Sequence, residues 1–474
     1  MAARVRMLRA MNTGPIRLRS RHTVAPGGVM DAVVTISGGR ITEVAAADPS
    51  AAGGQDLGSL WLMPGLVDSH VHVNEPGRAE WEGFTTATRA AAAGGITTLV
   101  DMPLNSVPPT CEVAALAAKR SAARGQCHVD VGFWGGVVPG NARELESLAE
   151  AGVLGFKCFL APSGVDEFTH VGERELREAM PIVARLGLPL LAHAESPRAL
   201  EAAAASVKGR DVRAHATWLA SRPAAAECEA IELLIRLARE TGCRVHVVHL
   251  SAAEALPMIR EARRSKLRLT IETCPHYLCF DAETIPDGAT EFKCAPPIRE
   301  RANREALWAG LREGLIDLIA TDHSPCPPAM KQRERGDFTA AWGGIASLEC
   351  SLAAVWSEAR ARGFTAAHVA HWMSAAPARL AGIESSKGAI APGRDADLIA
   401  FDPDRSWTVE APLLEQRHKL TPYLGRTLKG RAVATWLRGQ RVAEEGAATG
   451  AALGRLVPEP VPGGARFDRA RGVG

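Results

Sequence analysis

Leu66-Val67-Asp68-Ser69-His70-Val71-His72-Val73 is an apolar, strand-like run that ends in two histidines. Alternation along a strand sends residues i and i+2 to one face, so both imidazoles reach one point in space. The simplest occupant of that point is a metal ion. Paired histidines are also common on surfaces and loops, so this pair takes its meaning from where the next polar residues fall.

Further apolar runs follow at residues 97–103, 129–137, 155–160, 188–193, 244–250, 267–273 and 317–321. Between them lie helical patterns, among them 81–93, 111–123, 225–241 and 252–264, each long enough for a crossover. Short strands alternating with helices predict a parallel α/β architecture, and eight strands is the number that closes a barrel. The spacing favours a (β/α)8 TIM-like barrel over a doubly wound open sheet.

The ends of the chain read differently. Residues 31–36 and 41–45 flank a Ser37-Gly38-Gly39-Arg40 turn and predict a hairpin, and residues 388–393, 396–401 and 432–437 predict further strands near the C-terminus. Neither end holds enough apolar residues for its own core, so the two are expected to pair into one small β domain. The expected layout is a loose tail at 1–23, a β domain from 24–63 and 388–450, a barrel at 64–387 and a C-terminal tail at 451–474.

A length of 474 residues accommodates one large barrel with a smaller appended unit. Hydrophobic residues at 46% and charged residues at 23% exclude the disordered, collagen-like and coiled-coil classes. A net charge of +2 with no basic stripe leaves no footprint for nucleic acid, and no apolar run reaches the ~18 residues of a membrane span. A small molecule is the expected partner. The ten cysteines form no Cys-x-x-Cys pair and read as reduced thiols of a cytoplasmic protein. Arg4, Arg6, Arg9, Arg17, Arg19 and Arg21 stand without acids before residue 24, which admits an organellar transit peptide. The plainer expectation is a loose tail or an upstream start codon, with Met7 and Met11 as later starts.

Five of the eight runs carry or lead into a potential ligand or base: His70 and His72, Lys157, His193, His249 and Asp322. In a barrel the C-terminal strand ends form one rim, so these side chains converge there. Each alone has a structural explanation: a core histidine bound to a carbonyl, a lysine that snorkels, an aspartate that caps a loop. Their joint placement points to a site.

With Pro64-Gly65-Leu66-Val67-Asp68 before the paired histidines, Gly155-Phe156-Lys157, and Ala320-Thr321-Asp322-His323-Ser324-Pro325, the chain resembles the cyclic amidohydrolases. These are the allantoinases, hydantoinases and dihydroorotases, and the resemblance runs from about Met30 to Val442. It implies two divalent metal ions per chain, usually zinc, one held by His70, His72 and Asp322 and the other by His193 and His249. It also implies that Lys157 captures CO2 and bridges both ions as a carbamate, N6-carboxylysine, because an ammonium cannot ligate a cation whereas a carbamate offers two anionic oxygens. The implied reaction is hydrolysis of a cyclic amide by metal-bridged hydroxide, with Asp322 as catalytic proton shuttle and His323 as the alternative shuttle.

Within the family, dihydroorotases place an arginine two residues after the second histidine, where this chain has Asn74. That disfavours an acidic substrate. Glu75-Pro76-Gly77-Arg78, Asp101-Met102-Pro103-Leu104-Asn105-Ser106 and Lys293-Cys294-Ala295-Pro296-Pro297-Ile298-Arg299 lean toward the allantoinase branch. The expected reaction is therefore allantoin to allantoate. Alternatives are a D-hydantoinase or dihydropyrimidinase, or a non-catalytic scaffold relative, which would have lost ligands. Candidate substrate contacts are Asn74, Asn105, Cys294, Ala295 and Gly344, mainly through backbone groups. A turn-forming role is open for both asparagines, and Cys294 and Cys326 read as buried thiols as readily as nucleophiles. Relatives are commonly homotetramers.

Overall fold

A computed structural model describes residues 14–47 and 53–458. Eight parallel strands make the barrel: β1 (Leu66–Val71), β2 (Ile96–Asp101), β3 (Asp130–Phe133, resuming as Gly135–Gly136), β4 (Phe156–Phe159), β5 (Pro189–His193), β6 (Arg244–Val247), β7 (Leu269–Thr273) and β8 (Leu318–Ile319). Each of the eight apolar runs thus contains a strand. Neighbours pair in chain order from β1 to β8. The ring closes where Val71 bridges His323 in parallel and the His72 N–H donates to the His323 carbonyl at 2.8 Å. Asp68 reinforces that seam, its carboxylate accepting from the His70 and Thr321 N–H groups and from the Thr321 hydroxyl. The fold is a TIM-type (β/α)8 barrel with a separate β domain.

Helices cross between consecutive strands as expected, at Phe84–Ala93, Val113–Ala123, Ala224–Thr241 and Leu256–Arg264 among others. Their starts and stops follow local chemistry. Helix Glu173–Leu186 begins where the Glu175 carboxylate accepts the Gly172 N–H at 2.9 Å, and it ends at Gly187, whose φ of 69° suits glycine. The barrel strands are buried apart from a half-buried Arg244 in β6 and Thr270 in β7, so they carry nearly continuous apolar runs rather than strict alternation.

The two chain ends do meet in one sheet. Trp61–Pro64 pairs with Leu398–Phe401 on one side and with Ile16–Ala25 on the other, and Gly28–Ser37 and Arg40–Ala46 extend it as a hairpin. Leu18, Val34, Ile36, Leu62, Leu398 and Trp436 form its core. The tail expected over 1–23 needs correcting, because residues from Ile16 onward form a strand. Leu18 and Ser20 are buried while Arg17 and Arg21 point outward, and Arg19 pairs with Asp31. The dense arginines conceal that alternation. Similarly, part of the expected 451–474 tail lies along β3, where Val131 bridges Leu456 and the Gly454 N–H donates to the Cys127 carbonyl at 2.8 Å. Arg4, Arg6, Arg9, Met7 and Met11 lie outside the described residues.

Lys387 fastens the β domain to the barrel. Its ammonium donates to Asp130 at 2.5 Å and to Asp397 at 2.7 Å and lies 2.9 Å from Asp395, while Arg438 also reaches Asp130. The three aspartates are close enough to suggest a metal site, but the buried ammonium already supplies the cation. Among the described residues no helix is long and apolar enough to cross a membrane.

Candidate active site

His70 and His72 leave β1 on one face, as strand alternation requires, and meet Asp322 just beyond β8. His70 Nε2 and His72 Nε2 lie 3.2 and 3.4 Å from Asp322 Oδ1. His193 ends β5 and His249 follows β6, with His193 Nδ1 facing His249 Nε2 at 3.0 Å. The His70 and His249 rings stand 5.4 Å apart, which joins the two groups. Lys157, on β4, is fully buried, and its Nζ lies 4.9 Å from the centre of the Phe159 ring.

His249 and Asp322 have φ values of 40° and 44°, the left-handed region that non-glycine residues seldom adopt. Both follow a strand end at the rim, and the unfavourable backbone turns each side chain back toward the centre.

Two carboxylates that the sequence reading did not single out orient the histidines. Glu272 on β7 accepts from His70 Nδ1, from His246 Nε2 at 3.0 Å and from the His249 N–H at 3.2 Å. Glu195 accepts from His193 Nε2 at 2.6 Å and is clamped by Arg222. Burial alone would raise both acids, but His70 beside Glu272 and Arg222 beside Glu195 hold each at about 2. The Glu195 signal was present in His193-Ala194-Glu195, since i and i+2 share a face. Glu272 had no local signal, because its partners arrive from β1 and β6.

These bonds fix tautomers. A proton on His70 Nδ1 directed to Glu272 leaves a lone pair on Nε2, and a proton on His193 Nε2 leaves one on Nδ1. The His70 lone pair then faces the Asp322 carboxylate, so two electron-rich atoms share one space. Burial raises the Asp322 carboxyl, but positive charge on His70, His72 or His249 outweighs it and holds it well below the usual carboxylate range, and a cation among neutral imidazoles would act in the same direction. Burial also pushes His72 down to about 4 and lowers His193 and His249. Unprotonated imidazoles around an ionised carboxylate are a donor set for a cation, and His70, His72 and Asp322 lie close enough to share one. Lys157 Nζ is buried with no hydrogen-bond partner among the described residues, and burial brings its ammonium down to about 8. An orphaned, easily neutralised amine suits covalent conversion to an anionic ligand.

A sequence model of the amidohydrolase family matches residues 61–442. The chain belongs to the amidohydrolase family. The allantoinase of Streptomyces avermitilis is 51% identical to this amidohydrolase over 90% of this chain and 95% of its own. The allantoinase of Arabidopsis thaliana is 44% identical, over 93% and 90%. Among solved structures, an L-hydantoinase from Arthrobacter aurescens superposes with a TM-score of 0.88 at 31% identity, covering 93% of this chain and 99% of its own.

In this amidohydrolase His70, His72, His193, His249 and Asp322 open onto a cavity of about 270 Å³ whose walls include Leu104, Phe159, Trp218, Arg222, Ser324 and residues 340–344. Of the expected substrate contacts, Asn105, Ala295 and Gly344 line it. Asn105 also lies 3.4 Å from His72 Nδ1. Asn74 and Cys294 are not at its surface. The Asn74 amide donates to the Pro325 carbonyl at 3.4 Å, and the Cys294 carbonyl accepts from Trp218 Nε1 at 2.9 Å. Both asparagines have φ of 68°, so the turn-forming role holds for each. Burial pushes the Cys294 thiol up to about 12 and also raises Cys326, as suits unreactive buried thiols. His323 is fully buried and sits away from the cavity, accepting the Ser347 N–H at Nδ1 with Nε2 3.4 Å from Glu82.

Glu272→Gln keeps the shape but weakens the hold on His70 and His246. Metal affinity is expected to fall about 10–100-fold, read by chelator competition. Unchanged affinity would show that ring orientation does not depend on this carboxylate.

Proposed function

We propose that this amidohydrolase opens the hydantoin ring of allantoin to give allantoate. The substrate assignment is carried by the 51% identity to the Streptomyces avermitilis allantoinase across 95% of that protein. The cavity agrees with a neutral substrate. Arg222 is committed to Glu195 and Lys293 to backbone carbonyls, so neither is free to clamp a carboxylate.

In this reading His70, His72 and Asp322 hold one divalent ion and His193 and His249 the other. Lys157, as N6-carboxylysine, serves both. The Lys157 amine, brought down to about 8 by burial, attacks CO2, forms the N–C bond and releases a proton to give the carbamate. Zinc is the ion proposed, on the histidine and carboxylate set. When bound, such ions lower the pKa of a water and polarise the scissile carbonyl. Asp322, an ionised carboxylate within the donor set, accepts the proton of the attacking water and delivers it to the departing ring nitrogen. That delivery matters because an amide nitrogen leaves poorly as an anion. Backbone groups at Ala295 and Gly344, with Asn105, orient the ring and ureido arm. Ten unpaired cysteines support a cytoplasmic setting, and a homotetramer completes the reading.

The test assays allantoin, hydantoin, dihydrouracil and dihydroorotate side by side on protein purified without chelator, with metal analysis. About two divalent ions per chain and preference for allantoin are expected. Preference for dihydrouracil would transfer the protein to the dihydropyrimidinase reading, whose members share this fold. A full metal complement with no ring opening would leave the scaffold reading.

A further inference from the structure

Among the described residues, the hydrogen bonds of two buried lysines beside the cavity all go to backbone carbonyls. Lys293 and Lys331 are each 5% exposed. Lys293 Nζ donates to the carbonyls of Thr339 at 3.1 Å and Ala341 at 2.5 Å. Lys331 Nζ donates to those of Trp342, at 3.0 Å, and Gly344. All four acceptors fall within residues 339–344, a segment outside any helix or strand, and 340–344 form one wall of the cavity.

Burying an ammonium is costly unless its donors are met. Here one loop accepts two hydrogen bonds from each, so the lysines' burial and the loop's conformation depend on each other. Backbone bonds complete the attachment: Gly344 N–H to Lys293 O and Trp342 N–H to Met330 O, both 2.8 Å. Gly344 runs so close to Ser324 that an added Cβ would lie 2.3 Å from the Ser324 carbonyl oxygen. Lys293 also stands 4.2 Å above the Trp218 ring, linking this wall to another.

We propose that Lys293 and Lys331 are positioning residues that fix residues 339–344 as a rigid wall, and that this wall selects a ring bearing a ureido arm over a bare five-membered cyclic diamide. The proposal rests on the allantoin reading of the same cavity. The scissile bond must lie at the histidine cluster, which leaves the rest of the cavity to the arm. A bare ring fills only the cluster end and is indifferent to a loosened wall.

Lys331→Met and Lys293→Met, each checked for full metal content, are compared with the parent protein on allantoin and hydantoin. KM for allantoin is expected to rise about tenfold with kcat within about threefold, while kcat/KM for hydantoin stays within about threefold. If hydantoin is not turned over, its inhibition constant against allantoin takes its place. Hydrogen exchange of peptides covering 339–344 is expected to quicken in the variants and stay unchanged elsewhere. Equal losses on both substrates, unaltered allantoin kinetics or unaltered exchange would each overturn the proposal. A parent protein inert toward allantoin would instead sink the substrate reading, and exchange would then decide the lysines' role alone. Should a methionine variant not fold, Lys331→Gln, which keeps a donor, replaces it.

Discussion

Lys157→Ala is expected to lose ring-opening activity and bound metal together. The side chain is fully buried, its nitrogen has no hydrogen-bond partner among the described residues, and burial lowers the neighbouring His72 and His193. Left as an ammonium it would add a positive charge to a site built from cation donors. As a carbamate it removes that charge and adds two anionic oxygens, so the alanine variant lacks both the bridge and its charge. Activity is expected to fall roughly a thousandfold or more, beyond the ~10²–10³ of one oxyanion-hole donor. Short carboxylic acids such as acetate, small enough for the space left, are expected to restore part of it. Wild-type turnover in Lys157→Ala, or turnover indifferent to removal of CO2 during metal reconstitution, would rule out the bridge.

The second large effect is expected for Asp322→Asn. The amide keeps the volume and one oxygen but cannot take a proton at neutral pH. General acid–base catalysis contributes typically about 10²–10⁴-fold, and kcat at saturating metal is expected to fall by that order with KM little changed. Assaying at saturating metal separates this loss from weaker ion binding, since Asp322 also belongs to the donor set. His323→Gln is the comparison. His323 is buried and held by Ser347, so its variant is expected to lose far less. Equal losses in the two variants would remove Asp322 from the proton-carrying role.

The arrangement of Glu272, Glu195 and Asp68 explains why both effects should be large. Glu272 joins β7 to histidines from β1 and β6, and Asp68 joins β1 to the residue after β8. The cluster is held from several strands at once, so its donors are placed before any ligand arrives. The Glu272–His70 and Asp68–Thr321 contacts could not be read locally. Residues 70 and 272 stand 202 positions apart in the chain, and no periodicity relates them.

The edges of the fold were harder to read than its centre. Arg17–Arg21 alternates outward and buried positions, but the outward residues there are arginines, and charge of one sign reads as a tail. Only pairing with Gly28–Ser37 and Trp61–Pro64 gives those arginines a surface to leave from. Asn74 and Asn105 show the same limit near the site. Both have the left-handed backbone of turn asparagines, yet only Asn105 lines the cavity.

What the sequence by itself determined is the barrel and which candidate side chains gather at its rim. Strand period and burial on both faces are local properties of short runs, and a strand that ends at the rim carries its last side chains there. His70, His72, Lys157, His193, His249 and Asp322 were therefore legible from position alone. The tertiary structure decided how those groups behave: which histidine nitrogen is free, why the Lys157 amine is easily neutralised, and which loop walls the cavity. Those properties arise from burial and from partners brought together by barrel closure, and neither exists until distant strands meet.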